Sequence, residues 1–286
     1  MHNFPFTAVT GQASFKLALC LVAINPAIGG VLVSGPRGSA KSTLARGLAD
    51  VMVGANDDKV SLTLPLGASE EMLLGTLNLE QVLASKKTEF QPGLLAKADK
   101  GVLYVDEVNL LPDNLVDLLL DVSASGVNIV ERDGVSESHS ARFVLLGTMN
   151  PDEGELRSQL QDRFGLSVQL DNQYSVEDRV EIVRLREQFD MAPEDFLAAY
   201  KAQQEALSEK LSMAKNRLKK VTCDEPIRIL IANKCQSAHV DGLRSDIVWY
   251  RAAAAHAVFN DRIEIIEQDV LAVEELVLNH RRNPFD

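Results

Sequence analysis

The sequence predicts an α/β domain with a parallel sheet and helices on both faces, followed by an all-α domain. Two observations lead to this fold class. Up to about residue 170, short apolar runs alternate with stretches that favour helix, which is typical of a parallel sheet. After residue 171, apolar residues recur at helical spacing and strand signals are nearly absent. We therefore expect two domains, 1–170 and 171–286.

Four short apolar runs are the predicted strands of the first domain. They span residues 31–34, 60–64, 101–105 and 142–146. The helices between them are predicted to begin near Lys41, Leu115 and Glu155. Parallel strands need long crossover connections, and a helix is the usual one.

The second domain opens with a helix start signal. Ser175 is a good N-cap residue, and Asp178 follows three residues later. The apolar residues that then recur at helical spacing are Val176, Val180, Val183 and Phe189. The stretches 195–220 and 242–259 also favour helix, so the whole second domain is predicted to be helical.

The loop GPRGSAKST nearly matches a phosphate-binding loop. The pattern is G-x-x-x-x-G-K-[ST], and here Ala40 stands before Lys41 where the pattern has glycine. The loop follows a predicted strand and begins a predicted helix, so backbone N–H groups can converge on phosphates. We expect Lys41 to contact the β- and γ-phosphates of a nucleotide and Ser42 to bind magnesium. Ala40 is expected to take a negative, helical φ that keeps its methyl group out of the site. The predicted binding residues of the loop are Gly35, Pro36, Arg37, Gly38, Ser39, Ala40, Lys41, Ser42 and Thr43.

The stretch GVLYVDEVN places two carboxylates at the end of an apolar run. Asp106 and Glu107 follow the predicted strand directly, which is the Walker B pattern. We expect Asp106 to help hold Mg²⁺, and Glu107 to orient and deprotonate the attacking water. Two acidic residues can also simply cap a buried strand. Their occurrence together with a phosphate-binding loop favours the catalytic interpretation.

Three further polar residues are candidates at the same site. Asn150 ends the next predicted strand and is expected to reach the γ-phosphate or the attacking water, although asparagine before proline is also a common turn. Arg163 is expected to reach the γ-phosphate of a neighbouring subunit, a contact worth about 10³–10⁵ in rate. The alternative for Arg163 is an ordinary surface ion pair with an aspartate. Arg244, near a helix start with Asp241 as a possible N-cap, is expected to sense phosphate from the helical domain.

Composition excludes several other classes of protein. A net charge of −12 disfavours general nucleic-acid binding, because such binding needs clustered Lys and Arg. No apolar run is long enough to span a membrane, and the first residues lack the pattern of a secretory signal. The three cysteines are scattered and odd in number, which favours reduced thiols. We expect a cytoplasmic protein.

The order of these motifs resembles the AAA+ class of ring ATPases, and the closer similarity is to the I subunits of magnesium chelatase. The stretches that carry it are FPFTAVTGQ, INPAIGGVLVSGPRGSAKST, LPLGASEEMLLGTLNLEQVL, FQPGLLAKADKGVLYVDEVNLLPDNLVDLLLD, SASGVNIVERDGVSESHSARFVLLGTMNPDEGELRSQLQDRFG and GLRSDI. The resemblance implies an AAA+ domain with a C-terminal helical lid, forming a hexameric ring that hydrolyses ATP with Mg²⁺. It also implies two partners. One is a D subunit with an integrin-like domain, and the other is a large H-type subunit that inserts a metal into a tetrapyrrole.

The resemblance also implies roles for single residues. Asn150 matches sensor 1, Arg163 the arginine finger and Arg244 sensor 2, while Gln12 lies in the segment near the adenine. Residues 69–93 match an insertion in the helix after the second strand, and residues 125–143 match a hairpin before sensor 1. The Asp133-Gly134 pair independently predicts a tight hairpin turn. These insertions are expected to face the ring pore or a partner.

Two departures from the family pattern leave alternatives open. Ala40 replaces a glycine, as it often does in the related MoxR group, and residues 53–63 are shorter than in members of the chlorophyll pathway. We therefore expect the motor subunit of a metal chelatase. The chelatase is a magnesium chelatase, a cobalt-inserting relative or an uncharacterised relative, so the metal and the macrocycle stay open. A MoxR-like chaperone that remodels protein partners is the alternative. A third interpretation is a nucleotide-bound scaffold without hydrolysis.

Overall fold

The computed structural model describes residues 2–52, 61–77, 90–132, 135–170 and 174–282. Its strands are β1 Val31–Ser34, β2 Ser61–Leu64, β3 Gly75–Leu77, β4 Phe90–Pro92, β5 Val102–Val105, β6 Val127–Arg132, β7 Val135–Ser140, β8 Val144–Met149 and β9 Leu166–Gln169. Five of them form a parallel sheet in the order β2-β5-β8-β1-β9. The carboxyl ends of these strands therefore meet at one edge.

The four predicted strands are present. The strand at 31–34 has its predicted ends, and those predicted at 101–105 and 142–146 are shifted. The run predicted at 142–146 is strand β8 from Val144 to Met149. The backbone N–H of Arg142 donates to the Asp99 carboxylate at 2.8 Å, so this residue lies outside the strand. Strand β9 was not predicted, because a four-residue edge strand directly after Phe164-Gly165 carries almost no alternation of its own.

The helices are α1 Ala13–Ile24, α2 Lys41–Met52, α3 Glu70–Leu74, α4 Leu94–Lys97, α5 Asp113–Ser125, α6 Ser158–Arg163, α7 Val176–Met191, α8 Pro193–Arg217, α9 Glu225–Ser237, α10 Arg244–Phe259 and α11 Glu267–Leu278. Helix α2 begins at Lys41 as predicted, and α5 and α6 begin within three residues of the predicted positions. The Ser175 hydroxyl accepts from the Asp178 N–H at 3.0 Å, which confirms the predicted N-cap of α7. Helix α1 was not predicted, because its residues are mostly apolar without a clear stripe.

Helices cover both faces of the sheet, because alternate strand residues enter two different cores. In β1, Val31 and Val33 lie in one core and Leu32 in the other. The same alternation separates Leu146 from Leu145 in β8. Since side chains of a strand alternate between faces, both faces of this parallel sheet are buried. The predicted fold class is confirmed.

Two small antiparallel sheets lie beside the main one. Strand β3 pairs with β4, and β6 pairs with β7 as a hairpin in the predicted range. Residues 78–89 and the predicted turn pair Asp133-Gly134 lie outside the described residues. The buried Asn128 amide contacts both the Leu74 carbonyl, at 3.4 Å, and the His139 ring, at 3.0 Å. The two insertions are therefore in direct contact.

The helical region packs against the first region through a continuous core. Trp249 of α10 is fully buried, and its indole N–H donates to the Val270 carbonyl of α11 at 2.9 Å. Trp249 and Leu48 of α2 belong to the same cluster of buried side chains. The predicted domain boundary near residue 170 thus marks no gap in the core, and it stays a prediction. Within the described ranges, no helix is long and apolar enough to cross a membrane.

Candidate nucleotide-binding site

A cavity of about 580 Å³ lies where β1, β5 and β8 end. It is lined by loop and helix residues 37–43, by Tyr104, Asp106 and Glu107 from β5 and the residues after it, and by residues 148–150 at the end of β8. Three stretches that are far apart in the sequence thus meet at one opening. This is the position where parallel α/β sheets bind ligands.

Two side chains at the loop before α2 donate hydrogen bonds to the backbone carbonyls of that loop. The Lys41 ammonium donates to the Gly35 carbonyl at 2.7 Å, and the Ser39 hydroxyl donates to the Pro36 carbonyl at 2.8 Å. Partial burial lowers the pKa of Lys41, while the negative charges of Asp106 and Glu107 act in the opposite direction. Lys41 is the first residue of α2 and lines the cavity, at the helix end where N–H groups can bind phosphate.

Ala40 does not have the expected negative φ, and that expectation was wrong. Its φ is +60°, in the left-handed region. The chain must turn here from the loop into α2, whose Leu44 N–H already bonds the Ala40 carbonyl at 2.9 Å. Glycine takes such a φ without steric cost, whereas alanine in this region costs about 1–2 kcal/mol. The alanine is therefore a strained residue within the phosphate-binding loop.

The two carboxylates after β5 have different surroundings. The Asp106 carboxylate accepts from the Thr148 hydroxyl at 2.7 Å and from the Tyr104 hydroxyl at 2.8 Å. The Thr148 hydroxyl also accepts from the Glu107 N–H at 3.2 Å. Thr148 thus joins the ends of β5 and β8 and fixes both acidic residues. Sequence reasoning missed Thr148, although it stands two residues before Asn150, on the same face of β8.

Glu107 lies at the cavity with a φ of +51°, and a guanidinium faces its carboxylate. Arg37 bonds Glu107 at 3.3 Å and also bonds Glu153. A hydrogen bond with Glu153 and burial raise the pKa of Glu107, and Arg37 opposes the rise. Glu153 was missed in the sequence. The sequence carried a signal for it, because Glu153 is an acidic residue three positions after the predicted site residue Asn150.

Asn150 lies where the sequence predicts it, at the end of β8 and on the cavity wall. Its side-chain oxygen accepts from the Asp152 N–H at 3.3 Å, so the residue also caps the short turn that carries Glu153. Strand β8 lies directly beside β5, which places Asn150 beside the acidic pair. Its role towards phosphate or water stays a prediction.

A second pocket of about 410 Å³ adjoins the first and shares Gly38, Ala40 and Thr43 with it. Its walls are largely apolar, with Val9 and Ile182 among them. Gln12 lies in this pocket, and its side-chain amide donates to the Tyr174 hydroxyl. Apolar walls with a few polar groups suit a planar base. Sequence reasoning identified Gln12 but missed Tyr174.

The donor set at the cavity fits Mg²⁺. The Ser42 hydroxyl and the Asp106 carboxylate both line the cavity, and Mg²⁺ prefers oxygen ligands. Across the described part of the chain, no group of three or more His, Cys, Asp and Glu residues is arranged to hold a metal. Mg²⁺ at nucleotide sites needs no such group, because phosphates and water supply the other ligands.

The structure does not bring Arg163 or Arg244 to the cavity, since neither is among its lining residues. Arg163 pairs with Asp117 and Asp121 of α5, so in the isolated chain it makes the Arg–Asp surface pair of the alternative interpretation. Arg244 pairs instead with Asp162 at 2.5 Å. The expected N-cap Asp241 was wrong, because α10 is preceded by Leu243 and has no side-chain cap.

Asp162 also accepts from the buried Arg281 at 3.0 Å. We call Asp162, Arg163, Arg244 and Arg281 the arginine edge. Arg244 from α10 and Arg281 from the end of the helical region thus share the Asp162 carboxylate. Arg163 follows Asp162 directly at the end of α6. The edge contributes none of the residues that line the cavity of its own chain.

Comparisons with known proteins agree on the fold and show the family. A model for the AAA domain (dynein-related subfamily) matches residues 30–164, and one for the AAA lid domain matches residues 228–286. The magnesium-chelatase subunit ChlI of Cyanophora paradoxa is 45% identical, covering 97% of this chain and 90% of its own. An uncharacterized protein of Mycobacterium tuberculosis is 46% identical over 100% of this chain but only 46% of its own length. A solved complex between subunits BchI and BchD of magnesium chelatase contains a chain with 40% identity and a TM-score of 0.57, covering 98% of this chain and 96% of that one.

Proposed function

The chain belongs to the magnesium-chelatase ChlI family, and from this premise we infer that it is the ATP-hydrolysing motor subunit of a metal chelatase. It is an AAA+ ATPase that uses ATP with Mg²⁺. It works with D-type and H-type subunits, and the H-type subunit carries out metal insertion into a tetrapyrrole. The observation that carries the ATPase function is one cavity lined by Lys41, Ser42, Asp106, Glu107 and Asn150.

Each of these residues has a proposed task in hydrolysis. Lys41 exchanges the Gly35 carbonyl for the β- and γ-phosphates, and its charge offsets theirs. Ser42 and Asp106 hold Mg²⁺, which when bound neutralises phosphate charge. Glu107 takes the proton of the attacking water, and Asn150 orients that water or the γ-phosphate. The base lies in the adjoining apolar pocket beside Gln12.

The arginine edge acts on the cavity of a neighbouring subunit. Arg163 lies outside its own cavity and is held at the surface by Asp117 and Asp121, which phosphate can replace. Arg244 shares Asp162 with Arg281, beside Arg163, so it belongs to the same interface. A contact between a cavity on one subunit and an edge on the next is heterologous, and such contacts close into rings. We propose a hexameric ring.

The two alternatives from the sequence receive less support. The chelatase relatives match nearly the whole chain, and this favours the chelatase function over a MoxR-like chaperone. A scaffold without hydrolysis does not need Glu107 at the cavity. The choice of metal stays open, because a relative of equal identity from Mycobacterium tuberculosis is a longer protein of another description. We place the chain in a reducing compartment such as the cytoplasm, supported by the free cysteines Cys20, Cys223 and Cys235.

A reconstitution experiment tests the proposed function. The purified chain is combined with its native D-type and H-type partners, and metal insertion into a porphyrin is followed by absorbance with and without ATP. We expect insertion that requires ATP and this chain, and that stops when Glu107→Gln replaces the wild type. ATP hydrolysis with no insertion for any divalent metal would leave the ATPase in place and overturn the chelatase role.

A further inference from the structure

Arg281 lies just beyond α11, and its guanidinium is almost completely buried. The side chain is 2% exposed, and its N–H groups make five hydrogen bonds. The acceptors are the Asp162 carboxylate at 3.0 Å and the carbonyls of Asp162 at 2.7 Å, Phe164 at 2.5 Å, Gly165 at 3.0 Å and Val277 at 2.7 Å. A guanidinium has five N–H donors, so every one is used. All acceptors except Val277 lie within residues 162–165.

The same segment is held from its other side. The Gly165 N–H donates to the Gly29 carbonyl at 3.3 Å, directly before β1. A Cβ atom at Gly165 would meet the Ile28 carbonyl oxygen at 2.1 Å, so the two backbones are in close contact. The His280 ring adds a bond to the Phe164 carbonyl at 3.0 Å. Residues 162–165 are therefore clamped between the strand that leads into the phosphate-binding loop and the end of the helical region.

The clamped segment is the one that carries Arg163. Burial of a guanidinium is costly unless its donors are satisfied, and among the described residues one carboxylate, shared with Arg244, pairs with this charge. Backbone carbonyls satisfy the other donors, so the contact fixes main-chain position. Arg163 itself has a long side chain that can rotate, and its reach is defined only if its Cα is fixed.

We propose that Arg281 is a positioning residue for Arg163. It fixes the backbone at 162–165 so that Arg163 extends from one subunit to a defined place in the cavity of the next. Because Arg281 follows α11, the end of the helical region thereby sets the geometry of a catalytic group that serves another subunit. This inference rests on the proposed role of Arg163 in trans and adds to it a residue that lies over 100 positions further along the chain.

The test variant is Arg281→Lys, which keeps the charge but cannot bond four groups of one segment. A misplacement of about 1 Å at a catalytic group costs about 10²-fold in rate, so we expect turnover per subunit to fall by about 10–10²-fold. Affinity for a fluorescent ATP analogue should not change, because Arg281 does not line the cavity. The matched control is Arg282→Ala, which removes a surface pair with Glu275 and should leave turnover unchanged.

A mixing experiment separates positioning from general damage to the fold. Glu107→Gln subunits keep a normal Arg163 but cannot hydrolyse ATP. When they are mixed in equal amounts with Arg281→Lys subunits, about half of the Arg281→Lys cavities in a head-to-tail ring gain an intact neighbour. We expect turnover per Arg281→Lys subunit to rise to about half the wild-type value. The same mixture with Arg163→Ala subunits is the reference and should behave alike.

The outcomes are distinct. Rescue of both variants supports the inference. Rescue of Arg163→Ala but not of Arg281→Lys overturns it while leaving the role of Arg163 in place. Rescue of neither overturns the trans role on which both rest. If Arg281→Lys fails to fold, Asp162→Asn takes its place in the mixture, because it weakens the clamp without changing the carbonyl bonds, and the same results decide.

Discussion

The nucleotide cavity and the arginine edge hold their charged groups with different kinds of partner. In the cavity, Lys41 is held by a carbonyl and Glu107 by an exposed arginine, so both can exchange partners for a ligand. At the edge, Arg163 and Arg244 are paired with carboxylates of their own chain. Exposed pairs of this kind are worth about 1 kcal/mol or less, so phosphate can displace them. We propose that the two regions are half-sites that are complete only between subunits.

The two regions also differ in backbone geometry. Among the described residues other than glycine, positive φ values occur at Gln12, Ala40 and Glu107, at the cavity or its adjoining pocket, and also at Lys100, His239 and Asp261, which line neither. No residue of the arginine edge has one. Instead, Arg281 and Gly29 hold the main chain of residues 162–165 by hydrogen bonds. The loop and acidic residues of the cavity thus include left-handed backbone, whereas the segment that carries Arg163 is held by hydrogen bonds in ordinary backbone conformations.

Of the variants considered, removal of the Arg163 side chain should have the largest effect on ATP turnover. Arg163→Ala is expected to reduce ATP turnover by about 10³–10⁵, because an arginine finger stabilises charge in the transition state. ATP affinity at low protein concentration should stay the same. Phosphate release is measured across a dilution series of the wild type. Turnover per subunit that stays flat from assembled particle to monomer would contradict two half-sites.

Glu107→Gln should affect the cavity alone. We expect a loss of about 10²–10⁴ in turnover, the usual contribution of a general base, with ATP still bound. Lys41→Ala is the comparison variant, because it should lose ATP binding itself. Binding is measured with a fluorescent ATP analogue and turnover by phosphate release. Parent-rate hydrolysis by Glu107→Gln would show that another group is the base.

Acid should lower the free energy of unfolding through His280, whose ring bonds the Phe164 carbonyl next to Arg163. Burial, and then the charge of Arg281, lower the pKa of His280 to about 3, and its Nδ1 atom is buried without a hydrogen-bond partner among the described residues. The unfolded chain, with a histidine pKa of about 6.5, takes up a proton first, so stability is lost as pH falls below this value. The loss is about 2 kcal/mol between pH 7 and pH 5. Urea unfolding of His280→Gln should show a pH dependence smaller by this amount, whereas His2→Gln, at an exposed position, should not.

The smallest predicted effect concerns strain at Ala40. Ala40→Gly should raise the free energy of unfolding by about 1 kcal/mol, because glycine tolerates the positive φ. Ala206→Gly, at an exposed position inside α8, should lower it by about 1 kcal/mol. Thermal or urea unfolding measures both. Equal signs for the two variants would mean that the left-handed φ of Ala40 carries no strain.

Sequence patterns predicted much of the fold because the signals for it are local. Strand–helix alternation, the loop before Lys41 and the Ser175 cap each lie within a few consecutive residues. The patterns failed where the local signal is weak, as in the short strand β9 and the uniformly apolar α1. The φ of Ala40 was wrong because a pattern does not state which backbone angle a loop requires before its helix.

The sequence by itself predicted Lys41, Asp106 and Asn150 at one sheet edge, because a phosphate-binding loop and the polar residues that end neighbouring parallel strands meet there. Only the tertiary structure decided which residues support them. Arg37 meets Glu153 across 116 positions, Gln12 meets Tyr174 across 162, and Arg281 meets Asp162 across 119. The pairing of β1 with β8 brings Arg37 to Glu153, and the packing of the helical region on the sheet creates the other two contacts. No local pattern encodes which distant side chains are brought together.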